Sequence, residues 1–118
     1  MIKLQKPTII QLSEFDITQK IIESLSNVCT RSVLFSVKTQ SKDATQIADE
    51  LKISLSTVYK TLSTLEDLAL AEVDKFVISP EGKKIKLYRS RIGKVEITLD
   101  DLEPSLNLYS NTVNPKSS

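Results

Sequence analysis

The sequence predicts an α+β fold in which a bundle of helices comes first and β-hairpins follow. Two observations lead there. Between residues 16 and 68 the apolar residues recur at helical spacing, whereas after Leu70 they alternate with polar ones. Within the helical part, a short helix and a longer one are separated only by Lys52-Ile53-Ser54.

Residues 1–13 are weakly patterned and read as an N-terminal arm, with Pro7 opposing an early helix. A first helix is expected over 16–27. Asp16 and Thr18 suit its N-terminal positions, and Ile17, Ile21, Leu25 and Val28 form a stripe that Ile22 widens. A second helix, 30–37, takes Thr30 as N-cap and buries Val33, Leu34 and Val37. Residues 38–42 form a polar connection. Asp43 and Gln46 have the spacing of a capping box, so a short third helix runs over 44–51 and buries Ala44, Ile47, Ala48 and Leu51. Ser54 then caps a fourth helix, 55–68, whose inner face is Leu55, Val58, Leu62 and Leu65.

Strands are expected over 72–78 and 85–91 around the turn Ser79-Pro80-Glu81-Gly82. Ile85 and Leu87 face one way, and Lys84, Lys86 and Tyr88 the other. Val95, Ile97 and Leu99, then Leu106 and Leu108 beyond a turn containing Pro104, make a second hairpin. The organisation is therefore an arm (1–13), one domain (14–94), a C-terminal hairpin extension (95–109) and a disordered tail (110–118).

Composition removes several function classes. The 118 residues are 40% hydrophobic and 26% charged, ordinary for one soluble domain, and with 5% aromatic content Leu, Ile and Val carry the packing. Gly82 and Gly93 are the only glycines, so no phosphate-cradling loop exists. The absence of histidine removes the commonest general base and the commonest metal ligand together. A lone Cys29 between Val28 and Val33 reads as a small buried hydrophobe and excludes an internal disulfide or a thiolate cluster. Carboxylates occur as adjacent pairs, Asp49-Glu50, Glu66-Asp67 and Asp100-Asp101, which point apart and have no partner base nearby. Neither an enzyme nor a cofactor is expected. There is no apolar run of about 18 residues and no signal-like start, and a reducing cytoplasm, at the nucleoid, is the expected compartment.

The net charge of +1 conceals an asymmetry. Residues 83–94 hold Lys83, Lys84, Lys86, Arg89, Arg91 and Lys94 without an acid, a charge of +6, so the other residues sum to −5. Such a ribbon is either an anion-binding surface or an edge strand that lysines protect from pairing with other chains. The two helices of 44–68 tip the balance. A turn so short makes them cross steeply and holds the second one proud, where it fits a major groove about as wide as a helix. Its outer face offers Ser56, Thr57, Lys60, Ser63 and Thr64, with Tyr59 at the border. Hydroxyls, a lysine and the free N–H groups at a helix N-terminus suit phosphates and base edges. The expected DNA-binding set is Thr45, Ser54, Ser56, Thr57, Tyr59, Lys60 and Ser63 on the helices, with Lys83, Lys84 and Lys86 on the hairpin.

Residues 45–70, from Thr45-Gln-Ile-Ala through Ser54-Leu-Ser-Thr-Val-Tyr-Lys to Ala69-Leu70, resemble the helix-turn-helix of winged-helix regulators. Leu25-Ser26-Asn27 and Thr30-Arg31-Ser32-Val33-Leu34 resemble the preceding segment of ArsR-like regulators. The resemblance covers roughly residues 16–91. It implies a winged helix-turn-helix domain, double-stranded DNA as partner, and a homodimer on half-sites about one helical turn apart. It also implies that the 55–68 helix enters the major groove and the basic hairpin is the wing. Three departures stand out. The cysteines of metal-sensing relatives are missing from 44–51, which argues against thiolate or imidazole metal sensing. Ala69 replaces the usual glycine after the recognition helix, and strands replace the usual C-terminal helix. The C-terminal hairpin and the isoleucine-rich first helix are the two candidates for dimer contact. The alternative function is a winged-helix scaffold that binds another protein, since the same fold serves both purposes.

Overall fold

Residues 9–113 are described by a computed structural model, with side chains from Ile17 onward. The elements run α1 (Ile9–Ser26), α2 (Val28–Ser36), α3 (Ala44–Leu51), α4 (Leu55–Asp67), β1 (Ala71–Ile78), β2 (Lys84–Ser90), β3 (Ile92–Thr98) and β4 (Ser105–Ser110). β1 and β2 form one antiparallel ribbon, and β3 and β4 another. Four helices with a β-hairpin wing make this a winged helix. The core is Val33 and Leu34 of α2, Val37 at its C-cap, Ile47 of α3, and Val58, Leu62 and Leu65 of α4, joined by Ile21, Leu25 and Leu70.

Local chemistry explains the helix-turn-helix. Asp43 accepts from Gln46 N at 2.8 Å while Gln46 Oε1 accepts from Asp43 N at 2.9 Å, a reciprocal capping box that starts α3. α3 ends where Lys52 turns left-handed (φ 60°) and Ile53 N donates to Ala48 O at 3.2 Å. Two residues later Ser54 Oγ accepts from Thr57 N at 3.2 Å and opens α4.

Ala69 occupies the left-handed position itself (φ 59°). Ala69 N donates to Glu66 O at 2.9 Å and Leu70 N to Leu65 O at 2.8 Å, the paired bonds of a Schellman ending. An alanine there is strained by its Cβ. Ala69→Gly is therefore expected to raise stability by about 1 kcal/mol and the melting temperature by about 4 °C, read by thermal denaturation.

Several sequence expectations are corrected. α1 already includes residues 9–13, which the arm was to cover and where no helix breaker occurs; residues 1–8 lie outside the described part. Asn27, not Thr30, caps α2: its Oδ1 accepts from Thr30 N at 3.1 Å. Arg31 meanwhile donates to Leu25 O and Ser26 O at the end of α1. The break at Asn27 takes Val28 out of the α1 stripe and leaves it 66% exposed. Ile17 is also exposed, as is Leu55 at the first position of α4, while Leu51 and Cys29 are half-buried.

The wing follows its turn chemistry. Gly82 N donates to Ser79 O at 2.9 Å, Gly82 is left-handed (φ 83°), and Ser79 N donates to Lys83 O at 2.8 Å. Asp74 is the extra residue of a bulge, because Val73 pairs with Tyr88 and Lys75 with Leu87. Lys42, in the connection expected to be plain loop, forms a one-residue bridge with Tyr88 on the far side of β2.

Beyond Ser90 the chain crosses to the second ribbon through Arg91 alone. Ser90 is fully buried; its Oγ donates to Ile92 O at 2.7 Å and accepts from Ile92 N at 3.0 Å. The expected tail is corrected too. Ser110 ends β4, and Asn111 Nδ2 donates to both Lys38 O and Ser90 O at 2.9 Å, clamping the returning strand to the body. Arg89 donates to Val113 O. Residues 114–118 lie outside the described part.

Candidate nucleic-acid interface

α4 turns about 100° per residue. With Val58, Leu62 and Leu65 buried, Ser56, Lys60, Ser63 and, at the last position, Asp67 fall in one row along the opposite side. Thr57 and Thr64 flank that row on one side, and Tyr59 and Glu66 on the other. Lys60 stands at the centre of the exposed face. Among the described residues it makes no ion pair, so its ammonium is available to a ligand.

The hydroxyls are not equivalent. Ser54 Oγ is committed to the cap: it accepts from Thr57 N, donates to Thr57 Oγ1 at 2.8 Å and lies 3.2 Å from Ser56 Oγ. Thr64 Oγ1 donates back to Lys60 O at 3.2 Å. Ser56 and Ser63 are exposed on the outer row. Ser54 therefore sets the helix start, and with it the position of Ser56 and Thr57.

Between α3, α4 and the wing runs an open groove of about 440 Å³ lined by Asp43, Thr45, Tyr59, Lys83, Lys84, Lys86 and Tyr88, among others. Thr45, Tyr59 and the wing lysines, scattered in the chain, thus meet on one surface beside the outer row of α4. Lys84 Nζ sits 4.1 Å from the centroid of the Phe76 ring. Lys83 and Lys86 make no ion pair among the described residues.

The six cations of residues 83–94 divide into two groups. At the tip, Lys83, Lys84 and Lys86 are exposed. At the base, Arg89 turns to Val113 and Arg91 approaches Glu72 at 3.8 Å, while Lys94, on the second hairpin, lies 3.7 Å from Glu96. The hydrogen bond from Tyr109, and then Lys94, lower the Glu96 carboxyl below its ordinary range, while Glu96 raises the Tyr109 phenol. Glu96, Tyr109 and Lys94 serve one another on the polar face of the second hairpin.

At the back of the groove, burial first and the charge of Glu66 second raise the Tyr88 phenol above its ordinary 10.0. A raised phenol contributes stability that is complete below the unfolded value, about 10, and is lost as pH rises through the folded value. Stability should fall above pH 10, and Tyr88→Phe should make that fall shallower. Urea titrations at pH 9 and pH 11 test this by comparing the loss in midpoint for the two proteins.

Sequence reasoning missed Asp43 as an acidic wall of the groove, and Phe76 and Ile78 as exposed apolar residues near the wing tip. Both latter residues pair across the ribbon with lysines, Phe76 with Lys86 and Ile78 with Lys84, so all four share one face. The length of the turn could have revealed that register.

Among the described residues no cluster of three His, Cys, Asp or Glu side chains could hold a metal ion, and no helix is long and apolar enough to cross a membrane.

No family model matches the chain. An uncharacterized HTH-type transcriptional regulator of Methanocaldococcus jannaschii is 35% identical over 92 residues, 78% of this chain and 92% of that protein. The crystal structure of NolR from Sinorhizobium fredii shares the fold with a TM-score of 0.57, covering 74% of this chain and 81% of that one, at 17% identity.

Proposed function

The chain belongs to the family of helix-turn-helix transcriptional regulators, and on that premise we propose that it binds duplex DNA sequence-specifically. In this reading α4 enters the major groove and the wing tip holds the flanking phosphates. The observation that carries it is the meeting of Thr45 and Tyr59 with Lys83, Lys84 and Lys86 in one groove beside the exposed row Ser56, Lys60 and Ser63. Lys60 and the hydroxyls of Ser56, Thr57 and Ser63 reach base edges, and the lysines of the wing neutralise phosphates. Ser54 acts through the helix start it caps. The regulator works where the DNA is, in the cytoplasm at a prokaryotic-type nucleoid.

Selection from a random duplex pool, followed by anisotropy titration of the recovered and of random duplex at low and near-physiological salt, tests the reading. A preference for the recovered duplex that survives the higher salt supports it. Weak binding that vanishes equally for both overturns it.

The assembly proposed is an ArsR-like homodimer. Val95, Ile97, Leu106 and Leu108 share one face of the second hairpin, and Ile97, Leu108, Leu99 and Leu102 are exposed, as is Ile17 on α1. Val95 and Leu106 of that face pack against the core, which leaves Ile97 and Leu108 uncovered, and a two-stranded ribbon is marginal by itself. That same face is what favours the second reading, a scaffold for another protein. Sedimentation equilibrium separates the two: a dimer that Leu99→Ser dissociates supports self-association, and a monomer at all concentrations favours a different partner.

A further inference from the structure

We propose that the wing kinks the duplex, wedging Ile78, with Phe76 behind it, between base pairs of the minor groove adjoining the major groove that α4 occupies. The inference deepens the DNA-binding reading and rests on it.

Ile78 closes β1 at the wing tip and is 68% exposed; Phe76, on the same face, is 47% exposed. A ribbon built only to hold phosphates has no use for a large aliphatic side chain and an aromatic ring at its tip. These two alternate with cations: cross-strand pairing sets Lys84 beside Ile78 and Lys86 beside Phe76. The ammonium of Lys84 rests against the Phe76 ring. The two lysines of this face, Lys84 and Lys86, also line the groove shared with Thr45 and Tyr59. An apolar tip ringed by lysines matches a duplex in both respects, phosphates for the cations and base faces for the carbon atoms.

Reach and width agree. The strand Ala71–Ile78, at about 3.3 Å per residue, extends roughly 26 Å, whereas adjacent grooves lie about half a turn, roughly 17 Å, apart. The minor groove is only about 6 Å wide, so single side chains enter it and the ribbon stays outside. Apolar side chains inserted in this way unstack a step and bend the duplex by about 20–90°. Pyrimidine–purine steps unstack most readily, so a TA step under the wing is favoured although no polar group reads it.

The test is resonance energy transfer across the duplex recovered by selection, labelled at both ends and saturated with the full chain. Expected is a bend above about 20° with the unaltered protein. Phe76→Ser/Ile78→Ser should still bind, leave the duplex straight and lose the preference for TA over a G·C step. Ile78→Met, which keeps an apolar wedge, should retain the bend. Both side chains are exposed, and circular dichroism verifies that each variant folds. A straight duplex with the unaltered protein overturns the wedge while leaving DNA binding intact, as does an equal bend with the double variant. Self-association that Ile78→Ser abolishes, alongside a straight duplex, assigns the tip to a second copy instead. Failure to bind any duplex at low salt overturns the regulator reading itself.

Discussion

Lys60→Ala is expected to lower affinity for the selected duplex about 5- to 150-fold and to relax base preference at the position it reads. The range corresponds to the roughly 1–3 kcal/mol that one good base contact contributes to discrimination. The expectation follows from the geometry of α4. Three buried residues fix the inner face, and the residue at the middle of the opposite face is Lys60, exposed and without an ion pair among the described residues. Its neighbours along the row are serines, too short to compete for the same base edge. Competition titrations against single-base variants of the duplex decide the matter. An equal loss for all sequences would make Lys60 a phosphate contact without a part in specificity.

Replacing Lys83, Lys84 and Lys86 together by alanine should reduce affinity on the order of 100-fold near physiological salt, for preferred and random duplexes alike. Each phosphate neutralised contributes about 0.9 to the slope of log affinity against log salt, so the slope should flatten by about 3. The structure supplies an internal control. Lys94 belongs to the same basic run in the chain but sits on the second hairpin beside Glu96 and against the Tyr109 ring, at 5.1 Å from its centroid. Lys94→Ala should leave the slope unchanged. A triple variant with an unaltered slope would remove the wing from the interface.

Much of the fold was legible because its signals are local. Asp43, Gln46 and Ser54 announce α3 and α4 through bonds spanning three residues, and these two helices lie where the sequence places them. The start of α1 was not legible: Asp16 and Thr18 look like caps, yet the helix includes them and the residues before. The break between α1 and α2 was legible to within two residues, but its cap was not: Val28 continues the helical spacing of Leu25, which hides Asn27 and favours Thr30. The ordering of residues 110–113 depends on Asn111 reaching Lys38 and Ser90, partners far away in the chain that no local pattern announces. The departure at Ala69 was visible, and its resolution proved simple: alanine adopts the glycine geometry with its strain.

For the candidate site, residue types were readable but their division of labour was not. The sequence counts six cations over residues 83–94, whereas the fold engages Arg89 and Arg91 at the ribbon base and Lys94 on the second hairpin. Strict alternation correctly grouped Lys84 and Lys86 with Tyr88. It could not say that the tip of this face stands in solvent while its root, at Tyr88 and Ser90, is buried against the helices.

The passage from wing to second hairpin through Arg91 has a mechanical consequence. Ser90 and Ile92 are stapled by a single hydroxyl, and Arg91 is held from both sides, its N–H by Leu70 O and its carbonyl by Asn111 N. The junction therefore has no slack. Four hydrogen bonds converge on three consecutive residues there, so changing the angle between the two hairpins at Arg91 requires breaking at least one of them.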